Sequence, residues 1–423
     1  MLLIKGGLLS IPGAARVADI LIKDGKIAEI SENIRQSGDT PVINAVGLVV
    51  AAGLVDMHVH FRDPGQDYKE DIITGASAAA AGGVTLCACM PNTLPAADSA
   101  EVVEYIINKA KAAPVTVLPI GAVTVGQKGE ELTDFKALKA AGAVALSDDG
   151  VPVRSAAVMR RAMKLAREHD MLIISHCEDE EMVRNFAVNE GRISKKLGIP
   201  GRPAIAEEIM VARDAMLARE TGAKLHIAHV STAGSVDIIR RAKESGVNIT
   251  AETCPQYFTL TEDEILRQGT LARVNPPLRT ADDVEAVIRG LSDGTLDAIA
   301  TDHAPHSVQE KALPLSEAPS GMIGLETSLA LALTVLYRTG RVGLDGIMRL
   351  MSGNPVRIMG IDAGRLAEGA AADIVIFDPD ERWTVDPEKF KSKARNTPFS
   401  GMTLYGRVKY TISRGNIVFR GNI

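Results

Sequence analysis

Short apolar runs recur along the middle of the chain, and segments with helical periodicity lie between most of them. The runs cover residues 48–60, 84–90, 115–124, 143–147, 172–176, 224–230, 248–253 and 297–301. They are rich in Val, Ile, Leu and Ala and lack a polar face, the pattern of parallel strands buried on both sides. Ala-rich segments at 75–81, 100–112, 135–141, 155–168, 207–220, 235–244 and 282–291 follow several of them. This repeated alternation predicts an α/β protein built on a (β/α)8 TIM-like barrel. Residues 327–360 read as its late helices.

The two ends have a different rhythm. Residues 18–27 form two alternating runs around Asp24-Gly25, a strong hairpin signal. Residues 372–378, 408–413 and 417–419 repeat the style, with Arg414-Gly415-Asn416 between the last two. Neither end is long enough to make a stable sheet pair alone. They are expected to combine into one small composite β-sandwich of residues 1–50 with 361–423, flanking a barrel domain of residues 51–360.

Composition sharpens this picture. The 423 residues are 46% hydrophobic and only 4% aromatic, enough apolar surface for a large aliphatic core. The formal net charge is −6 with both signs interspersed, and no basic run points to nucleic acid or a membrane surface. No apolar run is long enough to cross a bilayer. The opening Met1-Leu2-Leu3-Ile4-Lys5-Gly6-Gly7 lacks the marks of a secretory leader, so a cytoplasmic location is expected. Cys87, Cys89, Cys177 and Cys254 fall in or beside apolar runs and read as reduced core thiols.

The chemistry gathers where the strands end. His58 and His60 lie two apart on a strand and so project to the same side. Polar residues recur at later ends: Asn92, Asp148-Asp149, His176, His226 and His229, then Asp302, His303 and His306. Of eight histidines, only His169 lies away from these ends. In a barrel of this type, the C-terminal strand ends carry the active site. Imidazoles and carboxylates suit Zn²⁺, and four histidines with two aspartates are enough for two ions sharing one carboxylate. Such a pair activates water and polarises a carbonyl, which suggests hydrolysis of an amide-like bond or its reverse. Spacing alone does not choose between Asp148 and Asp149 as the shared carboxylate.

Plainer readings accompany several residues. His226, three before His229, should face the other side as a core or helix-packing residue. His303 should be structural, and His169 an exposed helix-end residue. Glu178-Asp179-Glu180-Glu181 reads as a solvated helix start, and Glu207-Glu208 as a helix N-terminal pair. Arg62 could be a surface ion-pair residue, and Asn92 and Asn275 could simply make turns beside prolines. His306 could be a partner of Asp302.

The motifs resemble the amidohydrolase superfamily, and within it the dihydroorotases of the long-chain bacterial type. His58-Val59-His60-Phe61-Arg62-Asp63-Pro64-Gly65 is similar to that family's first signature. Ala300-Thr301-Asp302-His303-Ala304-Pro305-His306, with Lys311 beyond, is similar to the second. Met90-Pro91-Asn92-Thr93 and Asn275-Pro276-Pro277-Leu278-Arg279 resemble two further blocks, and the likeness spans essentially the whole chain.

The resemblance implies zinc-dependent, reversible cyclisation of N-carbamoyl-L-aspartate to L-dihydroorotate in pyrimidine biosynthesis. It implies that His58, His60 and Asp302 hold a first zinc and His176 and His229 a second. Asp149 would be the bridge and Asp302 the catalytic proton carrier. Hydantoinase and allantoinase relatives bridge with a carboxylated lysine, but residues 143–150 contain none. The aspartate-bridged subgroup therefore fits better. Arg62, Asn92 and His306 would bind the substrate carboxylate. Asn275 and the backbone of Gly321 and Met322 would read the ring. A homodimer and a complex with aspartate transcarbamoylase are the partners this likeness suggests. The competing expectations are a hydantoinase- or allantoinase-like activity, or a non-catalytic barrel supporting aspartate transcarbamoylase.

Overall fold

Parallel strands in the middle of the chain pair in sequence order. In the computed structural model, which describes residues 1–11, 14–36, 38–184 and 186–421, Leu54–Val59, Val84–Cys89 and Thr116–Pro119 form one parallel set. Gly121–Ala122, Leu146–Ser147, Leu172–Ser175, Lys224–Ile227, Ile249–Thr253 and Ala298–Ile299 form the next. At the join, Ile120 N donates to Cys89 O and Gly121 N to Ala145 O, so one continuous run serves both sets. At the far end, His60 N donates to His303 O, which links the last strand back to the first.

Alternation sorts the side chains of these strands. Leu172 and Ile174 point to an inner cluster with Met57, Ala88, Ala145 and Ala298, whereas Ile173 packs outward. Val356, Ile358 and Met359 join the inner cluster from the helix Asn354–Met359. Both faces are dry, which explains why these runs read as continuously apolar. Burying one such Leu or Ile contributes about 1.5–3 kcal/mol. Helices between the strands are capped by local chemistry: Asp71 accepts from Ile73 N and Thr74 N at the start of Ile72–Ala81, and Thr232 caps Ala233–Glu244.

Both termini build a second unit. Its strands run in the order Asn416–Arg420, Thr403–Ser413, Ile374–Thr384, Val49–Ala52, Leu2–Ile11, Ala14–Lys23, Lys26–Ser31, with Val42–Asn44 also on Leu2–Ile11. The expected two-sheet sandwich is thus one continuous sheet of eight strands. A bulge between Ile4 and Gly7 lets the long first strand pair with Val42–Asn44 along one half and Val49–Ala52 along the other. The sheet folds over its own core of Ile4, Leu9, Ile20, Ile22, Ile374 and Ile412.

The run 48–60 is two strands rather than one. Val49–Ala52 belongs to the terminal sheet and Leu54–Val59 opens the parallel set, so the expected boundary at residue 50 falls inside a strand. The break is Gly53, where a Cβ would lie 2.1 Å from Thr85 Oγ1. The C-terminal segment is also not confined to the sheet. Between Ile374–Thr384 and Thr403–Ser413 it crosses to the parallel unit, where Ile323 N donates to Asn396 O. Residues 12, 13, 37, 422 and 423 of the expected composite domain lie outside the described residues. All four cysteines are free and buried.

Candidate active site

The C-terminal ends of the parallel strands bring six buried side chains together. His58 is the penultimate residue of its strand and His60 follows the strand's end; both turn Nε2 inward. His60 Nε2 is 2.9 Å and His58 Nε2 3.5 Å from Asp302 Oδ1. His176 Nδ1 and His229 Nε2 approach within 2.8 Å of each other. Asp149 stands between the pairs. Its Oδ2 lies 3.4 Å from both His58 Nε2 and His60 Nε2, and its Oδ1 lies 3.5 Å from His176 Nδ1 and 3.3 Å from His229 Nε2.

Local hydrogen bonds separate the two adjacent aspartates. Asp148 Oδ1 accepts from Val123 N at 2.8 Å and Thr124 N at 3.0 Å, which fastens it to the neighbouring strand end. Asp149 N donates to Ser147 Oγ at 2.9 Å, and its side chain is left to face the imidazoles. Burial raises the Asp148 carboxyl to about 6 despite these bonds. Burial also opposes ionisation of Asp149, but His58, His176 and His229 outweigh it and hold its carboxyl well below the usual range.

Backbone strain concentrates here. Arg62, His229 and Asp302 adopt φ of +61°, +37° and +48°, a region that costs a residue with a Cβ about 1–3 kcal/mol. The turn at His229 overrides strand alternation. His226, expected as a core or helix-packing residue, is fully buried, with Nε2 3.4 Å from Glu252 Oε2 and Nδ1 2.8 Å from Thr250 Oγ1.

A metal fits this donor set. His58 Nε2 and Asp149 Oδ1 are buried with no hydrogen-bond partner, an expensive arrangement unless a cation takes up their lone pairs. Two triads, His58–His60–Asp302 and His58–Asp149–His229, have donor atoms within 4.8 Å of one another. The outer nitrogens are held from behind: Glu252 Oε1 is 2.7 Å from His58 Nδ1, and Asn92 Oδ1 is 2.8 Å from His60 Nδ1.

The remaining residues line a cleft of about 200 Å³ that opens onto the cluster. Arg62 is buried there, with Nε donating to Pro305 O at 3.3 Å. Among the described residues no carboxylate lies within ion-pair distance of its guanidinium. Asn275 is tied to its neighbours: Nδ2 donates to Glu178 Oε2 at 3.0 Å, and Oδ1 accepts from Arg202. Glu178 is consequently not a solvated helix start; it is buried, 2.8 Å from Arg202 Nη1. Nor is Glu207 a simple terminal charge, because it is buried and accepts from Ser231 N and Thr232 N just beyond His229.

His306 lies at the cleft wall with Nε2 donating to Ser320 O at 2.9 Å. Burial, with Arg62, Lys69 and Lys311 nearby, lowers its pKa to about 2, so the ring is neutral and this is its single N–H. Gly321 joins the same wall, and buried Met322 follows it. His303 accepts at Nδ1 from Gly324 N at 3.2 Å and turns Nε2 toward Glu70 at 3.6 Å. His169 is the half-buried C-cap of Ala156–Glu168. Sequence reasoning gave no role to Glu252 or Arg202 and did not notice Asn396; their partners are distant in the chain, so no local pattern marks them.

The family described as "Dihydro-orotase-like" matches residues 47–235. The chain is 51% identical to a dihydroorotase of Acetivibrio thermocellus, an alignment that covers 100% of each. It is 53% identical to a dihydroorotase of Caldanaerobacter subterraneus over 97% of this chain and 95% of that relative. The solved structure of an L-hydantoinase (dihydropyrimidinase) from Arthrobacter aurescens superposes with a TM-score of 0.89 at 27% identity, over 100% of this chain and 97% of the other.

Proposed function

Because the chain belongs to the dihydroorotase family, we propose that its buried cluster holds two zinc ions for the reversible cyclisation of N-carbamoyl-L-aspartate to L-dihydroorotate. The enzyme is a cyclic amide hydrolase of pyrimidine biosynthesis. The ring of parallel strands is read as a (β/α)8 barrel and the terminal sheet as its companion domain.

The observation that carries this reading is the placement of Asp149, with each carboxylate oxygen facing a different pair of histidines. His58, His60 and Asp302 would hold one ion, His176 and His229 the other, and Asp149 both. Zinc there supplies Lewis acidity for the amide carbonyl and for water.

The chain's own groups do the rest. Asp302, beside His60 at the edge of the cleft, takes a proton and returns it to the leaving ring nitrogen. In the biosynthetic direction it removes the ureido proton. Arg62 supplies a planar fork for the ring-carbon carboxylate, and Asn92 Nδ2 adds a donor. Asn275, oriented by Glu178 and Arg202, faces the ring amide, and the backbone at Gly321 and Met322 forms the opposite edge. His306 serves as a neutral brace for that edge. The chain is expected to act in the cytoplasm, and among the described residues no helix is long and apolar enough to cross a membrane. A homodimer and an aspartate transcarbamoylase complex are the partners to test by sedimentation.

The test is ring opening of L-dihydroorotate by purified protein alongside elemental analysis. Turnover with two zinc ions per chain is the expected result. Turnover of hydantoin or allantoin without dihydroorotate would overturn the assignment.

A further inference from the structure

The cleft edge at residues 319–322 has neither helix nor extended strand, yet every one of its carbonyls is engaged. Pro319 O and Gly321 O each accept from Lys311 Nζ at 3.0 Å. Ser320 O accepts from His306 Nε2 at 2.9 Å, and Met322 O accepts from Ala304 N at 2.9 Å. Gly321 O takes a second bond from Asn396 Nδ2 at 3.2 Å.

Two of these donors are unusual. Lys311 is 5% exposed, and its Nζ meets only backbone oxygens, the third being Arg273 O at 3.4 Å. A buried amine is costly unless its N–H groups find acceptors, and two of the three acceptors here lie on this one loop. Asn396 is 3% exposed and uses both polar atoms of its side chain and its backbone carbonyl. Its Nδ2 also donates to Ala304 O at 3.1 Å, its Oδ1 accepts from His306 N at 3.1 Å, and its carbonyl accepts from Ile323 N at 3.0 Å. It joins the segment after Asp302 to the cleft edge, although it arrives from the C-terminal part of the chain.

Gly321 itself cannot help. Its φ is +135°, and a Cβ there would lie 2.9 Å from Ala304 Cβ and 3.1 Å from His306 Nε2. At Gly321 the edge is therefore backbone, held by its own bond from Gly321 N to Arg273 O at 2.9 Å and by donors outside the loop.

We propose that Lys311 and Asn396 are positioning residues that fix the 319–322 backbone as the edge against which the substrate ring is bound. The inference rests on the dihydroorotase reading of the cleft. Without these donors the edge would sample other conformations, and each binding event would have to reorder it. That weakens ground state and transition state alike, so the loss belongs in KM rather than kcat.

Asn396→Asp keeps the shape and the acceptor for His306 N but sets an oxygen against two carbonyls. Lys311→Met keeps the stem and removes three donors. KM for dihydroorotate should rise about tenfold or more while kcat stays within about threefold. Amide exchange at 320–324 should quicken with bound metal unchanged, and Lys311→Arg should recover much of the KM. Unchanged KM, or a fall in kcat alone, overturns the proposal. If Asn396→Asp does not fold, the Met and Arg variants at 311 decide it. Wild-type protein that leaves dihydroorotate intact would sink the functional reading, whereas wild-type exchange at 320–324 in both variants sinks the clamp alone.

Discussion

His58 Nδ1 lies 2.7 Å from Glu252 Oε1, and neither side chain has any exposure to solvent. A histidine that offers Nε2 to a cation must carry its proton on Nδ1, so this contact sets both tautomer and ring orientation. Burial works against ionisation of Glu252, but the bonds with His226 and His58 outweigh it and bring its carboxyl down to about 2. Glu252→Gln keeps an acceptor but removes the charge. Metal affinity should fall by about 10–100-fold, the usual cost of losing such a partner. A chelator-competition titration reads this directly; unaltered affinity would mean that the strand alone orients His58.

Asp149 makes a harsher prediction. With Asp149→Ala, four imidazoles converge with no anion between them, and two dications would repel without a shared carboxylate. At least one zinc per chain should be lost. Elemental analysis that finds both ions in this variant would remove Asp149 from the bridging role.

A third prediction concerns pH and lies away from the cleft. Glu326 accepts from Lys391 N at 2.8 Å and Ser392 N at 3.1 Å. Burial outweighs those bonds and, with Glu70 nearby, raises its carboxyl to about 7. The folded state thus prefers the neutral acid. Its contribution is fully present below the ordinary carboxylate range and is lost as pH rises through about 7. Glu326→Gln should therefore raise Tm at about pH 9, by the equivalent of up to ~3 kcal/mol, and change little at about pH 4.5. A gain of the same size at both values would point to packing instead of charge.

These sites differ in how much of them could be read from the chain. The two-residue spacing of His58 and His60 is a local property of a strand, and so is the apolar run before it. The choice between Asp148 and Asp149 depends on Val123, Thr124 and Ser147, which no pattern around 148–149 reveals. Alternation counted from His229 does not give the side to which His226 turns, because it assumes regular backbone and φ at His229 is +37°. Glu252 serves a histidine 194 positions away, and Asn396 reaches His306 across 90. Strand content at the termini was visible, but the pairing order was not. Gly7, the bulge beside it and the break at Gly53 decide which halves of which strands meet, and those are tertiary facts.

Arg62 gives the sharpest test of substrate identity. Its guanidinium is buried beside the cluster, held by one bond to Pro305 O, and among the described residues it has no carboxylate within ion-pair distance. Burial lowers its pKa, while Asp302 and Asp149 in its surroundings favour the cation. A charge kept in this way lacks the anion that would match its fork, and a carboxylate on the substrate ring would complete it. Arg62→Met removes charge and donors but keeps much of the volume. A substrate carboxylate left unpaired in such a site costs about 3–5 kcal/mol, so kcat/KM for dihydroorotate should fall about 10²–10⁴-fold. Dihydrouracil, which lacks the carboxylate, should be hydrolysed poorly by wild type and change little in the variant. The ratio of the two efficiencies is the measurement. Wild-type preference for dihydrouracil, or a ratio untouched by the substitution, would hand the cleft to a hydantoinase-like substrate instead.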